Sequence, residues 1–150
     1  MKLAIIWSRS ITDKDKVYEI IKKGIDSARH LMIDQYYKMS ICLNRDILEK
    51  DDKFKIDTII SWWAIWVDSI AKEYAKDNNL SYIEYSPNDA DYSHLQNRDK
   101  PLARNTDIAK KCDVLLCIHD WYSKGILFAY DQALSLRERR QFIYIWSHKC

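Results

Sequence analysis

Five short apolar runs alternate with amphipathic stretches along this chain, and that alternation leaves few folds open to it. The runs are "LAII" (3–6), "IDTIIS" (56–61), "LSYIEY" (80–85), "DVLLCIHD" (113–120) and "QFIYIW" (141–146). Each has the length of a strand buried on both faces, and the fourth is the most apolar. Between the runs the period changes. Val17, Ile20, Ile21, Gly24, Ile25 and Ala28 recur at the 3, 4, 7, 8 spacing of one helix face, with Thr12 or Asp13 placed to cap its start. Val67, Ile70, Ala71, Tyr74 and Ala75 repeat that stripe, "LARNTDIAKKC" (102–112) reads as a short helix, and a last helix is expected over 126–140. Strands alternating with helices predict one Rossmann-like α/β domain over 1–150, in three layers, with a mostly parallel five-stranded sheet. Residues 31–55 fit this frame poorly and read as an insertion, helical at 47–50.

Composition narrows the class. A chain of 150 residues suits one domain, and 24 Lys plus Arg against 22 Asp plus Glu supply neither a disordered charge excess nor a strongly basic nucleic-acid surface. Cys42, Cys112, Cys117 and Cys150 form no C-x-x-C pair, and nothing resembles a signal peptide or the roughly 18 apolar residues of a membrane span. A soluble cytoplasmic chain with reduced thiols and no membrane partner is expected. His30, His94, His119 and His148 show no metal-ligand spacing with the cysteines, so neither metal nor cofactor is expected. "RERR" (137–140) reads as a helix end with cations at the negative pole of its dipole. The oligomeric state is not legible.

Glycine is the anomaly. Average usage of about 7% implies roughly ten glycines in a chain this long. This one has two, Gly24 and Gly125, and six tryptophans. By the strand assignments above, Trp7 ends the first strand, Trp62, Trp63 and Trp66 follow the second, Trp121 follows the fourth and Trp146 ends the fifth. All six then fall at carboxyl ends of strands, the ligand edge of an open parallel sheet, where backbone N–H groups meet phosphates. Glycine suits that edge because it permits φ > 0 and puts no side chain between backbone and ligand. Tryptophans lining a hydrophobic mouth or stacking on a base would account for single cases. Six of six points instead to UGA codons that the source reads as glycine and that this sequence renders as tryptophan.

With glycine restored, the chain reads G-S-R-S after strand one, S-G-G-A-x-G-V-D-S-I-A after strand two, R-N before strand four and D-G-x-S-K-G after it. This pattern resembles the YspA-like branch of the SLOG superfamily, Rossmann-like nucleotide-binding domains that include the LOG phosphoribohydrolases and the DNA-processing protein DprA. The residues that match as they stand are "SRS" (8–10), Ser61, Ala64, "VDSIA" (67–71), Pro87, Arg104, Asn105 and "SKG" (123–125). They span nearly the whole chain outside 31–55.

The resemblance implies a nucleotide or nucleotide-derived ligand, ADP-ribose-like or a nucleoside phosphate. Trp7, Ser8 and Arg9 would meet it after strand one, and the turn at Ser61, Trp62, Trp63, Ala64 and Trp66 would cradle a phosphate. A turn opening a helix at Ala64 independently offers unpaired N–H donors and a positive dipole end. Asp68, in that helix's first turn, suits a ribose hydroxyl or simple dipole pairing. Arg9 and Arg104 are candidate phosphate partners, because a guanidinium grips two oxygens at once, or else solvated surface arginines. Asn105 would bind ligand or cap a turn. Asp120, Trp121, Ser123, Lys124 and Gly125 make the loop of a second phosphate or ribose contact.

Catalysis is a separate matter, and no catalytic residue is assigned. The enzymatic subfamily carries P-G-G-x-G-T and paired glutamates, whereas Gly125 is followed here by Ile126, Leu127, Phe128 and Ala129, with Asp131 the nearest acid. That argues for a sensor, or a weak processing enzyme, over a phosphoribohydrolase of LOG type. A nucleic-acid module of DprA type would want a basic stripe with interleaved aromatics, which the balanced charges do not supply. The recoding has a direct check in the gene: the codons for positions 7, 62, 63, 66, 121 and 146 should all be TGA, and TGG at most of them would end the idea.

Overall fold

The structure is a computed structural model that describes residues 1–8, 11, 13–39, 44–62, 67–86, 88, 90–119, 122, 124–137 and 144–149, the backbone alone for residues 39, 67, 68, 90, 137 and 144–149. Strand β1 spans Lys2–Trp7, followed by α1 (Lys14–Met39), α2 (Arg45–Lys50), β2 (Thr58–Trp62) and α3 (Val67–Asp77). Then come β3 (Ser81–Tyr85), α4 (Lys100–Lys111), β4 (Val114–His119), α5 (Lys124–Arg137) and β5 (Tyr144–Lys149). The sheet order is β3-β2-β1-β4-β5, and every pairing is parallel. Side chains are described on β1 to β4, and β5 pairs with β4 along its backbone. This is a Rossmann-like α/β arrangement.

The layers follow from the strand period of two. Leu3, Ile5 and Trp7 of β1, with Ile59, Val114, Leu116 and Ile118, pack against Val17, Ile20, Ile21 and Ala28 of α1 and Ile70, Ala71 and Tyr74 of α3. Ala4 and Ile6, with Ile60, Trp62, Leu115 and Cys117, pack on Ile108 and Ala109 of α4 and Ile126, Ala129 and Ala133 of α5. Two apolar faces need two helical covers, and the crossovers between parallel strands supply them.

Local signals fix the element ends. The Asp13 Oδ1 accepts the Lys16 N–H at 3.0 Å and so caps α1. Asn44 does the same for α2, accepting from the Asp46 N–H at 2.9 Å. Helix α3 ends through Asn79, whose φ of 54° makes it the one non-glycine in the left-handed region among the described residues. The Leu80 N–H then reaches back to the Ala75 carbonyl at 2.8 Å, closing the helix end.

Two expectations change. Residues 31–39, set outside the strand and helix frame, continue α1, and Met32 and Ile33, with Leu48 of α2 and Phe54 beyond it, join the core of the α1/α3 face. Trp146 does not end a strand: it is the third residue of β5, opposite Leu116, because β4 keeps offering partners through the His119–Lys149 pair. Position 146 therefore lies away from the ligand edge. Among the described residues no helix is long and apolar enough to cross a membrane.

Ile5 is fully buried in the central strand. Ile5→Ala should cost about 2–5 kcal/mol in urea denaturation, since the surrounding layers cannot collapse into the void.

Candidate functional site at the carboxyl edge of the sheet

The chain leaves β1 toward β2 and β3 on one side and returns to β4 and β5 on the other, so the order reverses between β1 and β4. At such a switch point the connections diverge and leave a crevice beyond the strand ends. Ser8 prolongs β1 into that edge: its N–H donates to the Ile118 carbonyl at 2.9 Å, and its own carbonyl accepts from Ile11 at 3.1 Å. His119, 4% exposed, ends β4 beside it.

The α4/α5 side of this edge gathers four of the residues singled out from sequence. Trp62, the last residue of β2, is 8% exposed. The Arg104 guanidinium lies over its indole, with Cζ 5.0 Å from the ring centroid. Arg104 donates through Nε and Nη2 to the Asn105 Oδ1, at 3.3 and 3.2 Å. Asn105 in turn donates from Nδ2 to the Gly125 carbonyl at 3.1 Å, tying α4 to the first turn of α5. Arg104 is 5% exposed and Asn105 1%, so neither a solvated arginine nor a turn cap describes them. A guanidinium held this deep and oriented by a fixed amide is a buried cation among the described residues of the edge.

The other sequence candidates divide. Trp7, 1% exposed, points to the α1/α3 face, away from Trp62, and is a core side chain. Neither Trp7 nor Trp62 takes a positive φ, so the torsional reason for glycine does not apply at those two positions. Ser61 is buried and its Oγ lies 2.7 Å from the Tyr82 hydroxyl of β3. Lys124 is exposed at the start of α5. Arg9, Trp63, Ala64, Trp66, Asp120, Trp121 and Ser123, and the side chain of Asp68, lie outside the described residues. Cys112 and Cys117 are buried free thiols, and burial pushes Cys117 far up, which leaves it neutral and inert. Among the described residues no cluster of His, Cys, Asp and Glu could hold a metal.

A pocket that sequence reasoning missed lies at the opposite, amino-terminal edge, a 410 Å³ concavity lined by Met1, Met32, Tyr36, Lys53, Phe54 and Asp113. The Lys53 Nζ sits 3.7 Å from the Tyr36 ring centroid. No motif marked it, because its walls come from four separate segments. The sequence matches no protein-family model and no curated protein.

Gly125 has an ordinary helical backbone, and a Cβ there would meet the Asn105 Nδ2 at 3.7 Å and the Trp62 ring at 3.8 Å, ordinary contact distances. Gly125→Ala should therefore keep the fold and stabilise it by about 0.4–1 kcal/mol in chemical denaturation. A loss of stability instead would show that the α4–α5 junction has no room for a methyl group.

Proposed function

We propose that this chain binds a nucleotide or nucleotide-derived ligand at the carboxyl edge of its sheet, as a YspA-like member of the SLOG superfamily whose edge tryptophans stand for glycines. The observation that carries the reading is the Arg104–Asn105–Gly125 chain of contacts, a deeply seated cation held between the end of β2 and the start of α5. Its chemistry suits the phosphate or ribose oxygens of such a ligand. Arg9, the turn at 61–66, Asp68 and Ser123 complete the site in this reading. Asp131 is exposed on α5, and the lack of a glutamate pair after Gly125 supports a sensor or a weak processing enzyme over an efficient hydrolase. Nucleic-acid binding of DprA type and phosphoribohydrolysis of LOG type are the rival outcomes.

Calorimetry with a nucleoside monophosphate or ADP-ribose tests this on a variant with glycine at 62, 63, 66 and 121. A second variant adds glycine at 7, in the core, and at 146, mid-strand, since the recoding reading requires glycine at all six positions. The glycine variant should bind, and the tryptophan chain should bind poorly. Arg104→Ala in the glycine variant should weaken binding by about 1.5–3 kcal/mol, roughly ten- to a hundredfold, while Asp131→Asn leaves it unchanged. Base release should be undetectable in all of them. Single-strand binding that falls steeply with salt would favour the nucleic-acid rival. Release abolished by Asp131→Asn would favour the hydrolase.

A further inference from the structure

Resting on the glycine reading of position 62, we infer that the space filled by the Trp62 indole is the ligand's base slot, shaped for a purine ring and not for a phosphate. The indole is a fused five- and six-membered bicycle of nine ring atoms, as a purine is, so the room it occupies already has the outline and thickness of a purine. One wall is the Arg104 guanidinium, 5.0 Å from the ring centroid, an arrangement that stacks equally well on a heterocyclic base. Gly125 forms the floor, where the six-membered ring comes within 3.8 and 3.9 Å of the place a Cβ would take. The Asn105 Nδ2 lies 3.7 Å from that same point, and Ile60, Ile108, Ala109, Ile126 and Ala129 belong to the same hydrophobic cluster as Trp62. A flat aromatic ring gains by burial here, whereas a doubly charged phosphate in the same space would have only the Arg104 guanidinium and the Asn105 amide to replace its hydration. The Trp62 Nε1 is buried with no hydrogen-bond partner among the described residues, as is the Trp7 Nε1.

Trp62→Gly alone, in the otherwise unchanged chain, tests this with indole, adenine, adenosine monophosphate and inorganic phosphate as probes. A vacated apolar slot of this kind stays able to take a matching ring from solution. Indole and adenine, at about a hundredfold excess over their Kd, should each raise the melting temperature of the variant by about 5–10 °C, compete with one another, and leave the parent unmoved. Phosphate should neither raise the melting temperature nor displace indole. If the glycine variant is unfolded without ligand, Trp62→Ala provides a smaller void for the same titrations, and indole should restore the circular dichroism of the glycine variant. Absence of aromatic binding in a folded variant, failure of indole to restore an unfolded one, or displacement of indole by phosphate would each overturn the slot. Adenosine monophosphate binding that adenine and indole do not compete would also sink the slot and leave the nucleotide reading standing. Indole and adenine binding without any nucleotide binding to the four-glycine variant would do the reverse.

Discussion

Everything in this molecule is hung on β1, whose residues 3–6 are wholly screened from water because both faces of the strand are covered and both edges are paired. Parallel pairing on each side forces crossovers, the crossovers become the two helical layers, and the strand order reverses between β1 and β4. The strand period then decides which layer each side chain serves. Trp7 and Trp62 end neighbouring strands, yet odd positions of β1 face α1 and α3 while Ile60 and Trp62 of β2 face α4 and α5. One tryptophan is thereby core, and the other meets the buried cation.

The strands and helices were legible because their apolar periods differ and rarely overlap. The continuation of α1 was less so, although Ala28, Met32 and Tyr36 keep the four-residue spacing, because the polar residues between them dilute the stripe and no helix-stopping residue marks where it ends. The extension of β5 was hidden for another reason. Ser147, His148 and Lys149 carry no apolar signal, and their strand state comes from the ladder that β4 offers. Of the site, residue types and order could be read, but not depth. Nothing in "RN" says that Arg104 and Asn105 lie inside the protein; that follows only once α4 has packed against α5 and the end of β2.

The two ends of the sheet offer opposite environments. At the carboxyl edge, helices α3 and α5 begin, so N–H groups and positive dipole ends accumulate where an anion would arrive. At the amino edge, the helices finish, and the pocket between Met32, Tyr36, Phe54 and Asp113 meets carbonyl ends, with Lys53 already lying across its aromatic ring. The second place has a concavity of 410 Å³, and field favours the first. For a phosphate-bearing ligand, field decides, because an ion's desolvation outweighs a few apolar contacts.

The helix end at Asn79 shows how this chain handles a left-handed residue. Where the backbone of the described residues must turn that way, it uses a small amide side chain, and Leu80 closes the turn behind it. No tryptophan in the described set occupies such a conformation. Under the proposed nucleotide reading, what Trp62 sets against a ligand is consequently bulk and not torsional constraint. A position that must be small but not left-handed can hold alanine or serine as well as glycine at little conformational cost, so under the same reading a glycine-only signature at position 62 would be too narrow.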